Sequence, residues 1–91
     1  MAIVARRYLV RGRVQGVGFR YFVERVAASS GLRGWVKNLD DGRVEVYAVG
    51  TPEQLSDLAG QLWRGPRWSE VRGVEEQAAE VVRLDGFGIR G

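Results

Sequence analysis

Arg20 is the residue of this 91-residue chain best equipped for phosphate chemistry. Arg20 closes the stretch Gly12-Arg-Val-Gln-Gly-Val-Gly-Phe-Arg20, which holds three glycines and an amide. Glycines let backbone N–H groups approach a ligand closely. A helix-period pattern follows, so the stretch opens a helix whose first N–H donors are unsatisfied and carry a partial positive charge. A cation in that first turn is misplaced by roughly a few tenths of a kcal/mol. No Ser, Thr, Asp or Asn stands at Gln15–Phe19 to cap the donors. A bound anion would satisfy donors and arginine together, which points to a phosphate cradle. A plain tight turn with a solvated arginine is the competing reading, and the loop alone leaves both open. Two familiar nucleotide loops are excluded. No Gly-Lys-Ser/Thr follows, and Gly16-x-Gly18 meets Tyr21 where a dinucleotide fingerprint needs a small residue.

Composition narrows the chemistry. The chain has no histidine and no cysteine, which removes the commonest general base, thiol nucleophiles and most zinc sites. Ser29, Ser30, Ser56 and Ser69 therefore have no histidine to activate them. Thirteen arginines to one lysine and a net charge of +3 favour anionic partners without choosing between nucleic acid and a small phosphate. Asparagine occurs once, as Asn38. The length suits one domain spanning residues 1–91. No apolar run suits a membrane span or a signal peptide, and the absence of cysteine makes a cytoplasmic location the expectation.

The elements that must position these residues follow from periodicity. Arg7–Val14 alternates, with Tyr8, Val10, Gly12 and Val14 on one face. Phe19, Phe22, Val23, Val26 and Ala27 form one helical stripe, closed by Gly31. Leu32–Leu39 and Arg43–Val49 read as strands, joined at Asp41-Gly42 by a turn of the primed type. Thr51-Pro52-Glu53-Gln54 is a capping box with proline at N1. Leu55, Leu58, Ala59 and Leu62 continue that helix to Gly65-Pro66. Ser69–Gln77 is a fourth strand with a bulge at Gly73. Val81–Leu84 and Phe87–Ile89 are short, with room in one of them for a small extra edge strand.

The order is βαββαβ, an α+β ferredoxin-like split βαβ sandwich, with two helices on one face of a four-stranded antiparallel sheet. The first two strands then run parallel with the third between them. The loop after the first and the end of the second emerge at one edge, about 10 Å apart. Arg20 and Asn38 thus flank a space for one phosphate and a water.

Val10-x-Gly12-x-Val14-Gln15-Gly16-Val17-x-Phe19-Arg20 resembles the first signature of the acylphosphatases. Gly34-Trp35-Val36-Lys37-Asn38-x-x-x-Gly42-x-Val44-x-x-x-x-x-Gly50 resembles their second, matched at each fixed position. The resemblance covers essentially the whole chain and implies hydrolysis of acyl phosphates by a small, soluble, cytoplasmic enzyme without metal or organic cofactor. It implies that Arg20 binds the phosphoryl group and Asn38 orients the attacking water. The backbone N–H groups of Gln15, Gly16, Val17, Gly18, Phe19 and Arg20 would complete the cradle. Similar domains occur in larger hydrogenase-maturation proteins that use carbamoyl phosphate; the length favours the free-standing enzyme. The implied partner is a small acyl phosphate, with neither nucleic acid nor membrane, and nothing demands more than a monomer.

The rival reading is a basic RNA-binding module of the same topology, for which Tyr47 is the one exposed aromatic expected on the third strand. Its aromatic signature belongs on a strand, whereas Phe19 and Phe22 are spaced for a helix. Asp40 and Asp41 read as a turn rather than a metal site. Trp63 and Trp68 read as packing the end of the second helix, and Glu75, Glu76 and Glu80 as a solvated stretch. Gln15 braces the loop or touches substrate; Trp35 is core or shapes substrate entry.

Overall fold

The computed structural model describes residues 2–91. Alternating side chains from Val4 to Arg13 build β1, whose even positions Tyr8 and Val10 bury completely beneath the helices. The chain continues through α1 (Phe19–Ser29), β2 (Arg33–Asn38), β3 (Val44–Gly50), α2 (Pro52–Arg64), β4 (Glu70–Ala79) and β5 (Phe87–Arg90). The sheet order is β4-β1-β3-β2-β5. β3 pairs antiparallel with β1 and with β2, so those two run parallel on either side of it. The four-stranded core of the ferredoxin-like arrangement thus carries an extra edge strand, β5, parallel to β2. That strand comes from Phe87–Ile89, while Val81–Leu84 forms none. β4 shows the expected bulge: Arg11 opposes Gly73 and Gly12 opposes Val71, leaving Arg72 unpaired between them.

Phe19, Val23 and Ala27 of α1 and Leu55, Leu58 and Leu62 of α2 bury against Val10, Val36, Val44 and Val46 of the sheet. Each large apolar side chain so buried contributes roughly 1.5–3 kcal/mol. Phe22, Val26 and Ala59 pack at the margin of this core. The Tyr8 hydroxyl donates to the Leu55 carbonyl at 3.1 Å. Burial pushes its phenol up to about 12, with Glu76 adding to the rise and Arg6 opposing it.

The opposite face is not bare. Residues 80–86 cross it between β4 and β5, and Ala5, Tyr47 and Val49 bury there with Trp35, Ala79 and Leu84 around them. Tyr47 is therefore only 6% exposed, which corrects the expectation of an exposed sheet aromatic. Its hydroxyl donates to the Glu80 carbonyl at 2.5 Å and accepts the Val82 N–H at 2.8 Å. Trp35 stacks on Tyr47, with centroids 5.8 Å apart, and carries Lys37 and Arg90 over its ring. On the same face the Glu45 carboxylate lies between Arg7 and Lys37.

Two other expectations need correction. The β2–β3 hairpin is not a primed two-residue turn. Leu39 N–H bonds to the Arg43 carbonyl and Gly42 N–H to the Leu39 carbonyl, at 2.8 and 3.2 Å. Within the loop only Gly42 has a positive φ, 95°, so three loop residues end in a glycine bulge. Trp63 and Trp68 do not pack the end of α2, being 53% and 75% exposed. Leu62 already fills the core there, and Trp63 lies about 100° further round the helix. Among the described residues, no helix is long and apolar enough to cross a membrane.

Candidate active site

β1 ends in the buried Val14, and the chain turns through Gly16 and Gly18, at φ 75° and 79°, before α1 begins. Both glycines occupy the left-handed region, which costs an ordinary L-residue about 1–2 kcal/mol. Gly18 is the N-cap of α1, and no side chain caps this helix. No acidic residue occupies its first turn. The first α1 bond runs from Phe22 N–H to the Gly18 carbonyl, at 3.1 Å. Among the described residues, the backbone N–H groups from Gly16 to Tyr21 have no intramolecular acceptor. Phe19, 2% exposed, pins the start of the helix to the core and so fixes where those donors sit.

Arg20 follows Phe19 and makes no ion pair or hydrogen bond with any described residue. At the end of β2, Asn38 is positioned by its pairing with Val44 across the ladder. Its Oδ1 is buried and has no partner. A buried, unpaired carbonyl of this kind costs about 1–3 kcal/mol, so it marks a place where a donor is missing. Arg20 and Asn38 line one cavity of about 210 Å³, together with Val14, Gly16, Gly18, Phe19 and Tyr21. The cavity wall thus brings together an arginine, the open start of a helix and an asparagine whose carbonyl lacks a donor. That set suits an anion and a water molecule side by side.

Of the remaining cradle residues, Val17 turns its side chain to the margin of the core. Gln15 uses its side chain to brace the loop. Its Nε2 donates to the Leu39 carbonyl at 2.8 Å and to the Arg43 carbonyl at 2.9 Å. The amide is thereby spent on the neck of the β2–β3 hairpin, one residue beyond Asn38. Asp41 stiffens the same hairpin by accepting the Arg43 N–H at 3.0 Å and its Nε at 2.9 Å. The Arg43 N–H, and secondarily its guanidinium, holds the Asp41 carboxyl below the usual carboxylate range. Trp35 lies on the opposite sheet face from the cavity, against Tyr47. Tyr21 also lines the cavity, although it falls off the apolar stripe of α1 and periodicity assigns it no role. Its only advance signal was a large aromatic beside Arg20 that no core pattern required.

The acylphosphatase family model matches residues 6–89. An acylphosphatase of Solibacter usitatus is 65% identical over 86 residues, which cover 94% of this chain and 90% of the relative. Among solved structures, an acylphosphatase from Coxiella burnetii superposes with a TM-score of 0.93 at 36% identity, covering 97% of this chain and 93% of that one. The acylphosphatase from Bacillus subtilis gives 0.92 at 38% identity, covering 99% and 100%. The likeness runs through both stretches that build the cavity, and the chain belongs to the acylphosphatase family, a family of hydrolases.

Proposed function

We propose that the chain hydrolyses acyl phosphates to a carboxylate and inorganic phosphate, acting as a monomer through its single 1–91 domain. One observation carries this reading: the unpaired Arg20, the open start of α1 and Asn38, whose Oδ1 is buried without a partner, line one cavity.

In this mechanism the Arg20 fork and the N–H groups of Gln15–Arg20 hold the phosphoryl oxygens. Bidentate arginine suits the phosphoryl plane in a way that lysine cannot reproduce. Asn38 Oδ1 accepts a hydrogen bond from the attacking water and aims its lone pair at phosphorus. The water oxygen–phosphorus bond forms as the acyl oxygen–phosphorus bond breaks. The bonding pair leaves on the carboxylate, and both water protons stay with the phosphate as H2PO4⁻. A carboxylate, with a conjugate-acid pKa of about 4, needs no proton to depart. The lack of histidine is therefore no obstacle, and a loose phosphoryl transition state asks chiefly for position and charge. Simple alkyl phosphates, with a far more basic leaving group, are poor substrates by the same argument. The RNA-binding alternative depended on a sheet aromatic, and the burial of Tyr47 weighs against it.

The test is release of inorganic phosphate from an acyl phosphate with EDTA present and an alkyl phosphate as control. Hydrolysis of the acyl phosphate alone is expected. Arg20→Lys is expected to lose about 10²–10³-fold in turnover, comparable to deleting a preorganised donor, while its melting curve stays cooperative. Undiminished turnover in a folded Arg20→Lys variant would remove Arg20 from the mechanism.

A further inference from the structure

We infer that Tyr21 is the surface on which the acyl group of the substrate rests, so that the site favours acyl phosphates with a planar, apolar acyl group. This rests on the proposed hydrolysis and extends it to the class of acyl group.

The polar members of the cavity are fully used by the reaction. Arg20 and the loop N–H groups take the phosphoryl oxygens, and Asn38 takes the water. Three apolar side chains remain on the wall. Val14 and Phe19 are 1% and 2% exposed and belong to the core, so they form the floor. Tyr21 is 67% exposed and lies outside both core clusters, so it forms the rim. Its hydroxyl makes no hydrogen bond with any described residue.

In-line displacement requires the leaving oxygen to face away from the water held by Asn38. Asn38 Oδ1 is buried, which puts the water on the inner side of the cradle and the acyl group on the solvent side, at the rim. The exposed aromatic there is Tyr21, and its ring gains by covering an apolar plane. Arg20 is the one charged residue of the cavity wall and is engaged by phosphate. Nothing in the wall would recognise a second carboxylate on the acyl group. The other exposed or half-buried aromatics do not reach it. Trp35 lies across the sheet, and neither Trp63 nor Trp68 lines this cavity.

The experiment compares kcat/KM for benzoyl phosphate and acetyl phosphate in wild type, Tyr21→Ala and Tyr21→Phe. Differences in intrinsic reactivity between the two substrates cancel when their ratio is compared between variants. The benzoyl-to-acetyl ratio is expected to fall about tenfold in Tyr21→Ala, the scale of one lost apolar contact, and to be kept in Tyr21→Phe. The loss should appear mainly in KM, because the groups around phosphorus are untouched. An unchanged ratio in a hydrolytically active Tyr21→Ala would overturn the assignment while leaving the hydrolytic reading intact. A ratio lost equally in Tyr21→Phe would also overturn it, since the hydroxyl rather than the ring would then be responsible. Failure of wild type to cleave either substrate would overturn both readings. Competitive inhibition by phenylphosphonate against methylphosphonate supplies the same ratio without turnover.

Discussion

The two helices of this molecule begin in opposite ways. α2 satisfies its own start: Thr51 Oγ1 accepts the Gln54 N–H at 3.2 Å, and Gln54 Oε1 accepts the Thr51 N–H at 2.8 Å. Pro52 removes a donor and Glu53 answers the positive end of the dipole. α1 has a glycine at its N-cap, no acid in its first turn and a cation in its place. Each start has a glutamine beside it, and the two amides do different work. Gln54 turns inward to close its own helix, whereas Gln15 reaches outward to the hairpin and leaves the α1 donors open. Stability asks for the first arrangement. The second makes sense where a ligand is to complete the helix, and it occurs at the cavity that Asn38, with its unpartnered Oδ1, also lines.

The strongest way to break this contrast is to give α1 an internal anion. A Cβ at Gly18 meets nothing within 4 Å, and aspartate tolerates the left-handed conformation better than most residues. Gly18→Asp is expected to fold. A carboxylate placed about 4 Å from a phosphoryl group would oppose it by about 4 kcal/mol at an effective dielectric of 20. That corresponds to a loss of roughly 10³-fold in kcat/KM. Steady-state kinetics beside a thermal melt checks both halves. A folded, fully active Gly18→Asp would mean that the α1 start is not where phosphate binds.

A smaller effect tests how α1 is coupled to Asn38. Gln15→Leu removes both hydrogen bonds to the hairpin neck and is expected to lower kcat about tenfold, through misplacement of Asn38 rather than lost phosphate contact. Asn38→Ala alone should cost about 10²–10³-fold, as for a single positioned polar group. If Gln15 acts through Asn38, adding Gln15→Leu to Asn38→Ala costs nothing further, and the cycle shows a coupling of about 1 kcal/mol or more. Additive losses would reduce Gln15 to a general brace of the loop.

The sequence was legible where the chemistry is local and opaque where it is not. The Thr51–Gln54 box and the stripes of α1 and α2 each arise from neighbours within a few residues, and each appears as read. The shared edge of Arg20 and Asn38 followed from topology, because parallel β1 and β2 must flank β3. The partners of Gln15 lie 24 and 28 residues away, beyond any periodic signal. The burial of Tyr47 depends on residues 80–86, a segment with neither helical nor strand period that could not be placed over the sheet in advance. Asp41-Gly42 looked like a primed turn because the dipeptide does not disclose whether the aspartate itself takes a positive φ, and it does not. Tyr21 escaped because a residue off the core stripe of a helix is normally just solvated.

The smallest expected effect comes from disturbing the start that satisfies itself. Thr51→Ala removes the side-chain acceptor for Gln54 N–H and is expected to cost about 0.5–2 kcal/mol of stability. For a domain of this size each kcal/mol lowers the melting temperature by roughly 4–8 °C. Turnover should not change, because nothing in the α2 cap lines the cavity. One contact gives this prediction its edge: Gln54 Nε2 also donates to the Ser30 carbonyl, 2.8 Å away, at the far end of α1. The α2 cap thus touches the helix that carries Arg20, about 15 Å along its axis. A melting shift with constant kcat and KM would show that α1 is held by its buried face, through Phe19, Val23 and Ala27, and that its open start is independent of the closed one. A loss of turnover in Thr51→Ala would instead show that the closed helix start props up the open one through Gln54, and the two would have to be treated as one device.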